Sequence, residues 1–213
     1  MSKSSEEGKP ERLLWIDIET TGLDPEHDTV LEAELRVTSM DAKRVMDSRH
    51  VVFGVGDDTI MPMTEEVVAM HTANGLLHDA FGRASDFHHQ VTVLCVFAEI
   101  QLGRWTLHPA GSNPKFDLAF LERFMPEQIK SFHHRMLDLD SLRMAFEAAG
   151  LDLPDQTPTD HRTHTCLDRD IKQYRTMLQM LGNLQTSGKQ PKEKTNRKRI
   201  DHAIANIRKE GLC

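Results

Sequence analysis

The sequence predicts an α/β fold, a mixed sheet flanked by helices, on three observations. Three β-patterned apolar segments come first, short turn-forming stretches join them, and helical periodicities then alternate with a further short strand. Leu13 to Glu19 opens the sheet as a nearly continuous apolar run, the pattern of a strand buried on both faces. Val30 to Thr38 follows with Leu31, Ala33, Leu35 and Val37 alternating, and Arg44 to Phe53 is the third strand. Gly22-Leu23-Asp24-Pro25 and Met40-Asp41-Ala42-Lys43 have turn chemistry, so the three strands form an antiparallel meander.

Helices then take over. Thr64 to Ala73 opens with a Thr cap and Glu residues in its first turn, and Phe87 to Leu102 lines up Val91, Leu94, Cys95, Ala98 and Leu102 on one stripe. A strand over Thr106 to Gly111 rejoins the sheet before a helix from Pro114 to Phe124, whose leading proline suits a first turn. Leu139 to Ala149 and Leu167 to Leu181 complete the body. Residues 1 to 11 read as a flexible tail, 12 to 185 as one folded domain, and 186 to 213 as a linker and basic C-terminal segment with a terminal helix from about Glu193 to Lys209. Residues 189 to 213 carry eight Lys or Arg against three acids, a composition suited to nucleic acid, to a protein partner, or simply to a solvated helix.

Composition excludes several classes. A net charge of -7 over 213 residues argues against a non-specific nucleic-acid coat, which needs a basic excess, but not against an enzyme whose metals meet the phosphate. Cys95, Cys166 and Cys213 form no Cys-x-x-Cys pair, so neither a disulfide framework nor a thiolate zinc site is indicated, and a reducing cytoplasm suits them. No window approaches the roughly 18 apolar residues of a membrane span, so no membrane partner is expected.

The chemistry begins at Asp17 and Glu19. Two apart on a strand, they share one face with backbones about 6 to 7 Å apart. Carboxylates in so apolar a strand are costly without a cation, and a pair on one face suits hard divalent metal; the plain alternative is a strand end emerging into solvent. Their context decides. Ile-Asp-Ile-Glu-Thr-Thr-Gly-Leu-Asp-Pro from Ile16 resembles the first motif of the DEDDh 3′→5′ exonuclease superfamily, and Ala110-Gly-Ser-Asn-Pro-Lys-Phe-Asp117 resembles the second. Met70-His71-Thr72-Ala73-Asn74-Gly75-Leu76 and His133-His134-Arg135-Met136-Leu137-Asp138 extend the likeness to the oligoribonucleases, over roughly residues 13 to 182.

The resemblance implies a ribonuclease H-like, five-stranded mixed sheet and hydrolysis of short single-stranded RNA or DNA from the 3′ end to 5′-mononucleotides. It implies two divalent cations, Mg²⁺ or Mn²⁺, with Asp17 bridging both, Glu19 and the third-motif acid on one, and Asp117 supporting the other. That third motif is a His followed five residues later by an Asp, and here the chain departs: His164 is followed by acids at offsets four and six, Asp168 and Asp170. The apolar face of the following helix is centred about 45° from Asp170 and about 115° from Asp168, which favours Asp170 with a bulge or loop near His164; Asp168 is its rival. His164 is the candidate general base, ahead of His161.

By the same resemblance Leu23 wedges against the terminal bases, His71 and Asn113 lie near the nucleotide, and His134 and Arg135 reach it across a homodimer. Where the family carries an aromatic residue five before His71, this chain has Glu66, which neither stacks well nor welcomes an anion. Two other readings remain open: an exonuclease fold that binds without cleaving, and a DNA proofreading or repair exonuclease recruited through its C-terminal tail.

Overall fold

The computed structural model describes residues 8–56, 63–81, 87–153 and 159–187. The elements run β1 (Glu11–Thr20), β2 (Val30–Thr38), β3 (Val45–Val52), α1 (Glu65–Ala73), α2 (Leu76–Phe81), α3 (Phe87–Arg104), β4 (Thr106–Gly111), α4 (Pro114–Leu121), α5 (Pro126–Ser131), β5 (Leu137–Asp138), α6 (Leu139–Ala148) and α7 (Thr163–Ser187). The chain divides into two compact units, residues 1–175 and 176–213; the sheet and every side chain discussed below belong to the first, and residues 176–187 of the second are helical. The terminal helix expected over Glu193 to Lys209 lies outside the described residues.

The five strands form one sheet in the order β3-β2-β1-β4-β5. β1, β2 and β3 are the antiparallel meander, while β4 and β5 run parallel to β1. β1 is therefore central, and its alternation distributes the core. Leu14, Ile16 and Ile18 face a cluster built with Leu94, Phe97 and Ala98 of α3 and Phe120 and Leu121 of α4. Leu13 and Trp15 face the other way, against Ala110, Leu167, Ile171 and Tyr174.

Trp15 is fully buried, with its indole N–H donating to Thr38 Oγ1 at 2.9 Å and its ring 5.7 Å from that of Tyr174, edge on. This satisfied polar handle on a large apolar body pins α7 across the sheet. Gly111 ends β4 where a Cβ would come 2.8 Å from the Ile16 carbonyl, so the two parallel strands cross here closer than a side chain allows.

α7 begins at Thr163, four residues before the start expected from periodicity, and no bulge intervenes between His164 and Asp170. The reason is non-local. The Glu32 carboxylate on β2 accepts the Thr163 backbone N–H at 3.0 Å, capping one of the donors a helix start leaves open. Local cues are absent because the cap comes from 131 residues away. α1 is the opposite case, capped by Thr64 accepting from the Val67 N–H as the sequence predicts.

Candidate active site

The face of β1 that carries Leu13 and Trp15 continues into Asp17 and Glu19. Leu167 and Ile171 of α7 cover the first pair, which leaves the same helix to present Cys166 and Asp170, one turn apart, to the acids. Asp117 enters from α4, where its Oδ1 accepts the Ile18 N–H at 3.0 Å. Glu19, Asp117 and Asp170 are 8%, 5% and 1% exposed. Glu19 pairs across the strands with Glu32, at a register shift between Glu19 and Thr20 that ends the regular ladder.

So many buried carboxylates strain one another. Burial pushes Asp17 well above the usual carboxylate range, and Asp117, Glu19 and Asp170 push it further while Arg169 opposes them. Burial raises Asp117 too, with Asp170 adding to the effect against the hydrogen bond from Ile18. Glu19 is pushed up to about 8, first by burial and then by Glu32, Asp117 and Asp160. Its neighbour Glu32 goes the other way: burial works against its charge, but hydrogen bonds from His50, Arg162 and the Thr163 N–H outweigh it and hold Glu32 at about 2.

The cluster fits a divalent cation. Asp17 Oδ2 is buried without a hydrogen-bond partner. One ligand atom each from Asp17, Glu19 and Cys166 lie within 4.8 Å of one another. A buried carboxyl oxygen without a donor, among acids whose ionisation burial and mutual repulsion oppose, is what a bound cation resolves. Asp170 is more occupied: Oδ2 accepts from the Ser112 N–H at 3.1 Å and hydroxyl at 2.7 Å, and Oδ1 from Arg169 Nε at 2.9 Å and Arg143 Nη2 at 3.4 Å.

Of the two candidate acids on α7, Asp170 is brought to the cluster and Asp168 is not. The Asp168 side chain is 69% exposed and pairs with Arg36 of β2. His164 is exposed on the Asp168 side of the helix, two residues from Cys166 and so roughly 160° around from it, with no hydrogen bond among the described residues. His161, in a left-handed conformation (φ 53°) just before the helix, acts electrostatically on His71.

His71 is fully buried, its Nε2 3.0 Å from the Thr20 carbonyl, so it braces the end of β1 from below. Leu23 is 82% exposed, and Asn113 is exposed at the left-handed N-cap of α4 (φ 54°). Glu66 is exposed in the first turn of α1. His134 and Arg135 lie elsewhere in the chain: the adjacent His133 N–H bonds Leu107 O, near the beginning of β4, and the His134 ring stacks on that of His133 at 4.3 Å. Both are exposed at the edge of the sheet.

Sequence reasoning missed Cys166, Arg169, Arg162 and Glu32. Arg162 makes a fork to Glu32, with Nε at 3.0 and 3.1 Å from its two oxygens and Nη2 at 2.8 Å from Oε1, and also reaches Asp79. One signal was available for Cys166: it stands four residues before Asp170, the helical spacing that shares a face.

A ribonuclease H-like sheet with acids gathered at the end of its central strand defines a class of nuclease folds, and comparison with known proteins agrees. No family model matches the chain. Curated oligoribonucleases do: that of Serratia proteamaculans (strain 568) is 32% identical over 142 residues, 64% of this chain and 75% of that one. Those of Yersinia enterocolitica, at 34% over 141 residues, and Escherichia coli K12, at 31% over 137, are covered to 72% each by 62% of this chain. The chain belongs to the oligoribonuclease family. Among solved structures, exonuclease I from Methylocaldum szegediense (TM-score 0.58, 16% identity) matches 76% of this chain over 39% of its own. E. coli exonuclease I in complex with a dT13 oligonucleotide (TM-score 0.59, 14% identity) matches 83% of this chain over 43% of its own. These chains share the fold and are more than twice as long as the part matched.

Proposed function

We propose that this chain is a metal-dependent 3′→5′ exonuclease that trims short single-stranded oligonucleotides, RNA by preference and DNA as well, to 5′-mononucleotides, with residues 12–185 as the catalytic domain. The observation that carries the reading is the convergence of Asp17, Glu19, Asp117 and Asp170 with a buried Asp17 oxygen left unpartnered, in a chain of the oligoribonuclease family.

Asp17 and Glu19 would hold the cation nearest the scissile phosphate, with Asp117 and Asp170 completing the set. Two Mg²⁺ or Mn²⁺ ions, the pair suited to oxygen ligands, would supply positive charge to the attacking and leaving oxygens of the hydrolysis. Asp17 would help to hold both. By the family resemblance His164 takes the proton of the attacking water; it is exposed on the face of α7 turned away from the acids, so the first turn of the helix would have to rearrange to bring it there. His71 fixes the Thr20 carbonyl and with it the loop that projects Leu23. Leu23 packs on the terminal base, and Asn113 lines the nucleotide's path.

By the family resemblance, His134 and Arg135 would act on the partner's substrate in a homodimer, where Arg135 would grip a 5′-phosphate. Among the described residues no helix is long and apolar enough to cross a membrane, and we place the enzyme in the cytoplasm. The basic segment from residue 189 is a further surface for nucleic acid or a partner.

The non-cleaving alternative draws on Asp170, whose oxygens are engaged by Ser112, Arg143 and Arg169. A time course on 5′-labelled RNA and DNA of two, five and twenty nucleotides, with Mg²⁺, Mn²⁺ or EDTA, separates the two. Ladders shortening from the 3′ end and abolished by EDTA support the exonuclease; binding without cleavage under either metal supports the alternative.

A further inference from the structure

We propose that the Cys166 thiol is a ligand of the cation held by Asp17 and Glu19, so that this centre offers sulfur beside oxygen and takes thiophilic ions such as Cd²⁺ and Zn²⁺ far more tightly than carboxylates alone would. The inference rests on the reading of this cluster as a metal site.

The three side chains already converge on one space. Sulfur from Cys166 and oxygens from Asp17 and Glu19 lie within 4.8 Å of one another. A tetrahedral zinc-like ion with sulfur at about 2.3 Å and oxygen at about 2.1 Å holds its ligands roughly 3.4 to 3.6 Å apart, so closure asks each side chain to move inward by less than about 1 Å. Cys166 is 5% exposed, and its sulfur lies 3.1 Å from the Thr159 hydroxyl. That hydroxyl can donate to a thiolate as readily as it accepts from a thiol. Asp17 Oδ2, in the same cluster, is buried without a hydrogen-bond partner, which distinguishes Cys166 from a cysteine merely packed in a core.

α7 explains why the sulfur is there. The helix runs unbroken from Thr163, so Cys166 and Asp170 share the face turned to β1. Without a cation, burial and the Asp17 and Glu19 charges push the thiol up to about 12. Ligation breaks the S–H bond, forms a metal–sulfur bond and releases the proton to solvent, with no change of oxidation state. Soft sulfur favours Cd²⁺ and Zn²⁺; Mg²⁺ and Mn²⁺ draw chiefly on the oxygens.

The test is titration of the full-length protein with Cd²⁺, following the ultraviolet thiolate-to-cadmium charge-transfer band, in parallel with Mn²⁺ calorimetry. The band should appear with wild type and with Cys213→Ser and Cys95→Ala, yield to excess Mn²⁺, and vanish in Cys166→Ser, Cys166→Ala and Asp17→Asn. Cd²⁺ affinity should fall by about tenfold or more in the Cys166 variants, the scale on which metal sites respond to lost support. Mn²⁺ affinity should stay within about threefold, because the carboxylates remain. Thermal melts identify whichever Cys166 variant keeps the native fold. A band that survives in Cys166→Ser, or Asp17-dependent Mn²⁺ binding in a protein that gives no band with Cd²⁺, overturns the sulfur ligand and leaves the metal-nuclease reading standing. Absence of any Asp17-dependent Mn²⁺ binding in the folded protein sinks that reading and the inference with it.

Discussion

Replacing Glu19 by Gln should make the metal-free protein more stable while abolishing cleavage. The Glu19 carboxyl titrates at about 8 in the folded chain against its ordinary 4.5, because it is buried and faces Glu32, Asp117 and Asp160. As pH rises, the unfolded chain gives up this proton first. The folded state is therefore undisturbed below about 4.5, loses stability between 4.5 and 8, and stays penalised above. At pH 7 the cost is about 3 kcal/mol, nearly all of what a raised carboxyl can exact at that pH. Gln removes it. In EDTA the variant should melt roughly 10 °C above wild type at pH 7, since a chain of this size moves about 2–4 °C per kcal/mol, and the two should converge at pH 4.

Added Mn²⁺ reverses the order, because a cation relieves the repulsion in wild type and finds one oxygen ligand fewer in the variant. Calorimetric scans at pH 4 and 7, with EDTA or Mn²⁺, read all four conditions. A Gln variant that melts at or below wild type in EDTA at pH 7 would refute the claim that this site stores unfavourable charge for a metal to use.

Four further outcomes follow from the same geometry. Asp170→Asn should cost about a hundredfold or more in cleavage rate, as loss of a group in or next to a metal site does, whereas Asp168→Asn, on an exposed pair with Arg36, should change rate and stability little; equal effects refute the assignment. Arg169→Ala should tighten Mn²⁺ binding by about tenfold, equivalent to 1.4 kcal/mol, because it removes a cation from beside Asp17 and frees Asp170 Oδ1; weaker binding by calorimetry counts against that competition. Glu32, held at about 2 against an ordinary 4.5, contributes about 3 kcal/mol that is present above pH 4.5 and lost as pH falls toward 2. Glu32→Gln should lower urea stability by at least that at pH 7, and the deficit should shrink below pH 3. Finally, His164→Ala should reduce the rate by about a hundredfold or more; if His161→Ala does so instead, the base is His161.

The meander was legible because each of its strands carries its own pattern and short turns tie them together: Val30 to Thr38 is a strand with the bounds the sequence indicates, and Leu13 to Glu19 is one extended by two residues at its start and one at its end. β5 was not, being two residues long and held by β4 rather than by any pattern of its own. The start of α7 was not legible either. Thr163 is helical because Glu32, on a strand far away in sequence, accepts its N–H and is itself gripped by Arg162. A local reading of Asp160 to Leu167 contains no such information.

That misplaced boundary is also why the site was only half readable. Asp17 and Glu19 declare themselves by spacing, since a strand guarantees that residues two apart share a face whatever surrounds them. The residues of α7 declare nothing until the helix phase is known, and a start at Leu167 leaves Cys166 outside the helix altogether. With the start at Thr163 the phase follows: Cys166 and Asp170 turn to the acids, His164 and Asp168 turn away, and the extra residue between His164 and Asp170 is absorbed by rotation around the helix instead of by a bulge. A one-residue change in spacing within a helix moves a side chain by about 100°, so it exchanges which residues meet the substrate without disturbing the packing of Leu167 and Ile171 on Trp15. The chemistry of this centre can thus diverge from that of its relatives while the helix that carries it stays where it is.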